Sequence, residues 1–324
     1  MKAAFSCGGT GGHIYPALAI AQKFPDNFFI GSNRLEKTLV PQAGHKFYEI
    51  AASPRQLFKI LRGFYQSLRI LAREKPDIVI ATGGYVTVPV LLAARVLGQK
   101  IYLQEQNILP GRVNRCLSRL AARVFVAFAG AARYLPRHKT VVTGNPVRAE
   151  IAAVPYSAQS PGILVFGGSL AARSLNAAAD GLRGTPYQAQ LIHLNGQNYC
   201  HDMAGVYARS RLCVCRAGAT TLSELAALGM PSILVPFPQA ADNHQEVNAR
   251  YFEQQGAAVV LLDKDLTAGT LAKAIAQIDR PEILAAMSRR ARALGLPAAA
   301  EKIYDYITRT AGHQKYLRPA RRYF

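Results

Sequence analysis

A chain of 324 residues, half of them hydrophobic and with no low-complexity tract, is long enough for two ordinary domains with a sizeable core, which excludes a disordered or fibrous protein. Thirty-nine Lys and Arg against nineteen Asp and Glu leave a formal charge of +20, a balance that points to a polyanionic partner: nucleic acid, an anionic membrane surface or a phosphorylated substrate. No run approaches the roughly 18 apolar residues of a membrane span. Met1-Lys2 leads straight into the short run Ala3 to Cys7, not into a signal peptide's apolar core, so a cytosolic protein without an integral anchor is expected. The five cysteines, odd in number and without paired zinc-ligand spacing, read as buried free thiols; Cys213 and Cys215 flank Val214 in a strand-like run and so face one side of a sheet.

In chain order, the strand-like run Ala3–Ser6 meets the turn CGGTGGH (7–13), and a helix is expected from near Ile14, with Pro16 in its first turn and Ala17, Ile20, Ala21 and Phe24 on its buried face. Glycine inside an element costs about 0.5–1 kcal/mol relative to alanine. A cluster of them therefore needs a reason, and N–H groups exposed before a helix are a seat for an anionic oxygen. The pattern is neither G-x-G-x-x-G nor a P-loop; the alternative is a tight turn with His13 as a cap. Strand-like runs follow at Phe28–Gly31, Lys46–Ile50, Asp77–Thr82, Lys100–Gln104, Arg123–Phe128 and Lys139–Thr143. Between them, SPRQLFKILRGFYQSLRILAREK (53–75) places Leu57, Ile60, Leu61, Phe64, Leu68 and Leu71 along one helical face, surrounded by Arg55, Lys59, Arg62, Arg69 and Arg73. Such a helix can lie on an anionic membrane surface; the alternative is a core-facing helix with a solvated basic side. The turns ATGGYV (81–86), QEQN (104–107) and TGNPVR (143–148) each close a strand, and in a parallel sheet such ends share one rim, where ligands bind.

Pro146 to Gly162 loses periodicity and reads as a linker. A second series of strands is expected at Ile163–Phe166, Gln190–Leu194, Arg211–Cys215, Ser232–Pro236 and Ala257–Leu262. Strands alternating with helices mean parallel sheets with right-handed crossovers. Two units, each opening on a strand and a glycine turn (Gly8-Gly9, then Gly167-Gly168), predict an α/β protein of two Rossmann-like domains facing a cleft. The domains cover 1–150 and 151–312, followed by a basic tail, 313–324, with Lys315, Arg318, Arg321 and Arg322. In FGGSLAARSLN (166–176), Ser169 takes the capping position. CRAGATTLSELAALGMP (215–231) turns a strand into a helix from Thr220, whose first turn offers N–H groups and the hydroxyls of Thr220, Thr221 and Ser223 to a phosphate. Glu224 beside them suits ribose hydroxyls; the alternative is a capping glutamate. The loop PFPQAADNHQEVNA (236–249) carries Asp242, His244 and Gln245, able to read sugar hydroxyls.

GGTGGH with a proline three residues on, TGGYV, EQN, GNPVR, GGS-x-x-AR-x-x-N, R-x-GA-x-T-x-SE and DNHQ-x-x-NA, in this order over about residues 3 to 260, resemble the MurG family, the peptidoglycan enzymes that add N-acetylglucosamine to lipid I to make lipid II. The resemblance implies the GT-B glycosyltransferase fold, UDP-N-acetylglucosamine as donor and undecaprenyl-pyrophosphoryl-MurNAc-pentapeptide as acceptor. It also implies a peripheral place on the cytoplasmic face of the inner membrane, cell-wall synthesis proteins as partners, and no nucleic acid. It implies that Thr10, Gly11 and Gly12 form the first loop, with His13 as the catalytic base. Asn107 and Arg148 match donor-site residues of the N-terminal side, and Ser169 would contact the diphosphate. Ala219, Thr220, Thr221, Leu222 and Ser223 would form the diphosphate and nucleotide loop, with Glu224 on the ribose and His244 and Gln245 on the GlcNAc hydroxyls. Cys200 stands where the family has an isoleucine whose backbone holds uracil.

The sequence departs from the family at three places. Ala171 replaces a glycine of G-G-S-Q-G-A-R, Gln104 replaces the histidine before EQN, and Gly196 and Cys200 stand four positions apart where relatives carry roughly a helix and a strand more. The implied reaction is an inverting transfer in which the acceptor C4 hydroxyl attacks the anomeric carbon and UDP leaves. A neutral imidazole takes the proton. Helix N-termini, Ser169 and Arg148 meet the developing charge, and the chain is read as lacking an Asp-x-Asp metal motif, so no metal or other cofactor is expected. The competing readings are a UDP-sugar epimerase on the same fold, a basic nucleic-acid-binding protein, and a degenerate relative that binds the donor without turnover.

Overall fold

The computed structural model describes residues 1–167, 172–196, 200 and 202–315. Runs such as FFIG, IVIATG and ILVF are apolar without alternation, which suits parallel strands covered on both faces. Seven such strands, β1 (Lys2–Cys7), β2 (Asp26–Gly31), β3 (Lys46–Glu49), β4 (Ile78–Gly83), β5 (Lys100–Glu105), β6 (Arg123–Val126) and β7 (Thr140–Val142), form a parallel sheet in the order β3-β2-β1-β4-β5-β6-β7. A second parallel sheet joins β8 (Gly162–Phe166), β9 (Leu191–Leu194), β10 (Ser210–Cys215), β11 (Ser232–Leu234) and β12 (Ala258–Val260) in the order β12-β11-β10-β8-β9. All twelve lie where the apolar runs predict them.

The helices of the first half are α1 (Gly11–Ala21), α2 (Leu35–Gln42), α3 (Leu57–Glu74), α4 (Thr87–Val96), α5 (Arg112–Leu117) and α6 (Ala149–Ala152). Those of the second are α7 (Arg173–Asp180), α8 (Met203–Ala208), α9 (Ala219–Leu228), α10 (His244–Gln254), α11 (Ala268–Ile278), α12 (Pro281–Leu294) and α13 (Ala299–Lys315). Side chains alternate across each strand, so each sheet feeds two cores. Phe28, Ile30, Val79 and Leu103 pack with Leu71 of α3 and Val90 and Leu91 of α4. On the other face Phe5, Phe29, Ile80 and Phe125 meet Ile14, Ala17 and Ile20 of α1, together with Ile303 and Ile307 of α13.

That last contact departs from the sequence reading, which runs the second domain to residue 312. Helix α13, the last among the described residues, crosses back onto the first sheet, with ring centroids of Phe24 and Tyr304 5.0 Å apart and Arg123 Nε donating to the Tyr306 hydroxyl at 2.6 Å. An amphipathic pattern shows that a helix has an apolar face, not which sheet receives it. The stretch read as a linker also packs: Ile151 of α6 is fully buried, and the Tyr156 hydroxyl donates to the Arg211 carbonyl at 3.1 Å. One core is shared by the two halves, because Ile108 and Phe128 join Leu225, Ala249 and Phe252, with the Phe128 and Phe252 rings edge to face at 5.3 Å. Of the tail, 316–324 lies outside the described residues.

Two further expectations are corrected. Cys7, Cys213 and Cys215 are buried, but Cys200 is half-buried and Cys116 is exposed on α5. On α3 the predicted stripe divides: Leu71 is buried and Phe64 and Leu68 pack against the core, whereas the exposed apolar side chains are Leu57, Phe58 (76% exposed), Leu61 and Tyr65. A stripe of 18 residues is longer than the sheet it covers, so its first turns project past the core.

The foot of α3 is tied down by one carboxylate. Glu74 accepts from Lys2 Nζ of β1 at 2.8 Å, from Lys46 Nζ of β3 at 3.1 Å, and from the Tyr48 hydroxyl. These donors, Lys2 foremost, hold it down at about 2 against an ordinary 4.5. A depressed carboxyl adds stability above its ordinary range that is lost as pH falls through the depressed value. Glu74→Gln should therefore lower Tm at neutral pH, with the gap to the natural protein closing between pH 4.5 and about 2; thermal unfolding of both proteins across that range checks it.

Candidate active site

In both sheets the strand order reverses once near the middle, between β1 and β4 and between β8 and β10. Crevices at the carboxyl ends of strands on either side of such a reversal are where open α/β sheets bind ligands. At the first reversal the two glycine turns touch. Gly83 and Gly84 have φ of +111° and +91°, and a Cβ on Gly84 would lie 2.4 Å from the Gly8 carbonyl oxygen. A Cβ on Gly83 would lie 2.9 Å from Cε1 of His13, so the missing side chain makes room for the imidazole.

Helix α1 starts at Gly11, three residues earlier than the sequence predicts. Thr10 is extended at φ −143°, and its carbonyl accepts from the N–H groups of His13 (3.1 Å) and Ile14 (3.2 Å). Its hydroxyl does not cap the helix, so the N–H groups of Gly11 and Gly12 have no side-chain cap. Pro16 consequently sits in the body of the helix and not in its first turn; having no N–H, it gives the Gly12 carbonyl no helical partner. His13 is half-buried. Its Nδ1 is 3.1 Å from Oε1 of Gln106, and its carbonyl accepts from Thr82 Oγ1 at 2.7 Å.

The EQN turn holds the adjoining loop. Buried Glu105 accepts from the backbone N–H groups of Asn107 (2.9 Å) and Gly111 (3.0 Å) and from Asn114 Nδ2 (2.8 Å). Asn107 in turn accepts from Nδ2 of Asn248 at 3.1 Å. Asn248 is fully buried and joins the halves, accepting from the Ile108 N–H at 2.9 Å and donating to the Ala217 carbonyl at 3.2 Å. At the rim Arg112 Nε donates to the Asp242 carboxylate at 2.9 and 3.0 Å, which pulls that carboxyl below its usual range. Asp242 and Asn243 both have positive φ (52° and 55°), backbone that α10 follows directly. Between these elements lies a cleft of about 500 Å³ lined by His13, Gly83, Gly84, Asn107, Asp242 and His244 among others.

On the second half, β10 ends at Cys215 and α9 begins at Ala219, one residue before the predicted start. Thr220 and Thr221 are half-exposed in its first turn, but Leu222 is fully buried in the shared core and the Ser223 hydroxyl turns back to the Ala219 carbonyl at 2.8 Å. Arg216, buried just before the turn, donates to Asp263 (2.6 Å) and to Ser174 Oγ (3.0 Å) in the first turn of α7. Ser169 and Ala171 lie outside the described residues. His244 opens α10 with Nδ1 2.7 Å from the Ala241 carbonyl oxygen, while Gln245 Oε1 accepts from the Phe237 N–H at 3.0 Å. Cys200 packs against the shared core.

Glu224 and Arg148, read separately in the sequence, pair at 3.6 Å, and the Tyr207 hydroxyl donates to the same carboxylate at 3.0 Å. Asp263-Lys264-Asp265 is an Asp-x-Asp spacing that the sequence reading passed over; its first carboxylate is engaged by Arg216 and Ser174. Among the described residues no three His, Cys, Asp or Glu side chains converge as metal ligands. Sequence reasoning also missed Gln106, Asn248, Arg112 and Asp242 as a set. Gln106, Asn248 and Asp242 fall inside a quoted motif or loop and Arg112 inside none; only the fold brings Arg112 and Asp242 to the cleft and sets buried Gln106 and Asn248 against its lining residues His13 and Asn107.

Two parallel α/β units with a cleft at the first reversal, closed from the second unit by Asp242 and His244, have the GT-B fold of glycosyltransferases. Residues 3–126 match the glycosyltransferase family 28 N-terminal domain and residues 182–304 the family's C-terminal domain. The chain is 41% identical to a Desulforudis audaxviator protein named UDP-N-acetylglucosamine–N-acetylmuramyl-(pentapeptide) pyrophosphoryl-undecaprenol N-acetylglucosamine transferase, covering 96% of this chain and 99% of the relative. That alignment runs over 371 positions, more than the 324 residues here, so the relative carries segments this chain lacks. The crystal structure of Acinetobacter baumannii MurG superposes with a TM-score of 0.83 at 28% identity, covering 95% and 99% of the two chains. A kitacinnamycin glycosyltransferase shares the fold alone, with a TM-score of 0.69 at 14% identity over 93% and 98%. The chain belongs to the MurG family.

Burial raises the pKa of Glu224, opposed by Arg148 and by the Tyr207 hydroxyl. A carboxyl raised on folding contributes stability that is present below its unfolded value and lost as pH rises through the folded one. Replacing it by the neutral, isosteric Glu224→Gln should remove that slope. The variant should thus gain Tm relative to the natural protein as pH rises above the ordinary carboxylate value of 4.5, which paired melting curves at several pH values will show.

Proposed function

We infer that this chain transfers N-acetylglucosamine from UDP-N-acetylglucosamine to the C4 hydroxyl of MurNAc in lipid I, with inversion, in peptidoglycan synthesis. The observation that carries the reading is the imidazole of His13, lodged in the space left by Gly83 and opening onto the same cleft as Asn107 and His244. The acceptor's pyrophosphate would sit at the N–H groups of Gly11 and Gly12, next to Thr10. His13 would take the hydroxyl proton as the oxygen bonds to the anomeric carbon and UDP departs on the opposite side. A general base in this role contributes about 10²–10⁴-fold.

The donor belongs to the second half. Its diphosphate would lie at the start of α9, beside Thr220 and Thr221, where backbone N–H groups and the helix dipole favour negative charge; Ser169 is the further contact that the family resemblance implies. Leu222 packs that turn against the core, and the Ser223 hydroxyl ties it back to the Ala219 carbonyl. Glu224 would take the ribose hydroxyls with Arg148 beside it, His244 and Gln245 would face the sugar, and Cys200 the base.

The second half of the reading concerns the membrane. No described helix is long and apolar enough to cross one. Leu57, Phe58, Leu61 and Tyr65 stand exposed on the first turns of α3, with Arg55, Lys59, Arg62 and Arg69 around them and the Arg69 guanidinium stacked 4.4 Å from the Tyr65 ring centroid. A crossover helix begins at the end of the sheet where its preceding strand finishes, which is the rim that carries the site. We propose that this patch seats the chain peripherally on the cytoplasmic face of the inner membrane, where its lipid-linked acceptor and other cell-wall synthesis proteins meet it.

His13→Ala should lower turnover with a lipid I analogue by about 10²–10⁴-fold while UDP-GlcNAc affinity and Tm stay near their starting values. A stable variant with near-normal turnover ends the base assignment, and a natural protein that binds UDP without forming product establishes the non-catalytic reading instead. For the membrane, sedimentation with vesicles should need anionic lipid, each basic residue near the surface contributing about 1 kcal/mol. Binding should weaken in salt and fall when Leu57, Phe58 and Leu61 are changed together to serine. Equal binding to neutral vesicles removes the electrostatic part.

A further inference from the structure

Gln106 is almost completely buried, 2% exposed, and its side chain reaches three partners. Its Nε2 lies 2.9 Å from the Thr82 carbonyl oxygen and also bonds the side-chain oxygen of Gln104, while its Oε1 lies 3.1 Å from Nδ1 of His13. Gln104, itself fully buried, passes its own Nε2 to Asn145 Oδ1 at 3.0 Å. A row of amides can run in either direction, each one flipped, unless something fixes one member. Here the fixed member is the Thr82 carbonyl: a backbone oxygen is only ever an acceptor. Turning Gln106 over would set its Oε1 against that oxygen in a buried site, leaving both without a donor. The amide nitrogen must face Thr82, and the amide oxygen must face the imidazole.

An amide oxygen only accepts, so Nδ1 of His13 must donate. We propose that Gln106 is a positioning residue that locks the neutral imidazole of His13 in its Nδ1–H tautomer, leaving the lone pair of Nε2 directed into the cleft to receive the acceptor's proton. The proposal rests on the transferase reading given above for His13. When the hydroxyl proton moves to Nε2, the oxygen's electron pair forms the new bond to the anomeric carbon and the bond to UDP breaks with its pair. The resulting imidazolium keeps its Nδ1–H bond to Gln106. The opposite tautomer would carry its hydrogen on Nε2 and present no lone pair to the substrate. The ring nitrogen left free is set by the bond its neighbour makes, so Gln106 acts through His13 without touching substrate.

Nitrogen-15 NMR of the ring-labelled natural protein, without substrate, should show His13 as the Nδ1–H form. Gln106→Met keeps the length and burial but has no strong acceptor. In that variant the ring should move toward the Nε2–H form, and kcat should fall about tenfold, the scale of one orienting hydrogen bond, with KM for UDP-GlcNAc little changed. A ring in the Nε2–H form in the natural protein overturns the proposal, as does Gln106→Met with unchanged kcat. Should Gln106→Met fail to fold, the spectrum of the natural protein decides alone. The spectrum needs no catalysis, so a natural protein that makes no product sinks the transferase reading and leaves the tautomer assignment to stand or fall separately.

Discussion

The contact on which the site depends is between two stretches of bare backbone. The Gly8 carbonyl oxygen occupies the space into which a side chain on residue 84 would point, and the His13 ring occupies the space of one on residue 83. Both turns leave adjacent strands at the reversal of the sheet, where β1 and β4 shift register between Ser6 and Cys7. A bulge there lets the two turns approach without breaking the pairing below. With Gly83 and Gly84 in the left-handed region and no Cβ between the turns, the imidazole is held by main chain on one side and by Gln106 on the other. Glycines in such motifs are usually read as room for a ligand's phosphate; here a part of their work is to make room for the protein itself.

The second constraint is the seam between the halves. Buried Asn248 hydrogen-bonds to the turn after β5 and to the turn after β10, so one side chain sets the distance between the two sets of strand ends. The shared core around Phe128 and Phe252 supports it from below, and α13 returns across the seam to close the first sheet's outer face. With Arg112 and Asp242 at the rim, polar groups guard the mouth while apolar groups hold the base. Exposed ion pairs of that kind contribute little to stability.

Strand positions were legible because a parallel strand buried on both faces must be apolar throughout, and few other segments of five or six residues are. The reversal of strand order was not, since it depends on which side of β1 each crossover returns. Helix α1 was misplaced by three residues because Pro16 reads as a first-turn proline, yet the Thr10 carbonyl takes the N–H groups of His13 and Ile14 and closes the first turn sooner. Glu224 stands out in the sequence, but its partner Arg148 lies 76 positions away, beyond what spacing can indicate. Gln106 stood in a quoted motif without a role. Direction within a row of amides is written in the backbone carbonyl that terminates it, and no sequence pattern reports a carbonyl.

The strong positive charge separates into two kinds of arginine that the sequence could not tell apart. Arg211 and Arg216 are turned inward against Asp279 and Asp263, each pair at 2.6 Å with additional carbonyl acceptors. Satisfied on several sides, a guanidinium in such a place fixes geometry; removing its carboxylate would leave a buried charge uncompensated. Arg216 thereby connects β10, the loop after β11 and the first turn of α7, the three elements that meet at the second reversal. Arg55, Lys59 and Arg62 instead stand exposed around the apolar start of α3. Exposed basic side chains thus gather at the start of α3, while the turn after β10 is organised by charges that cancel locally.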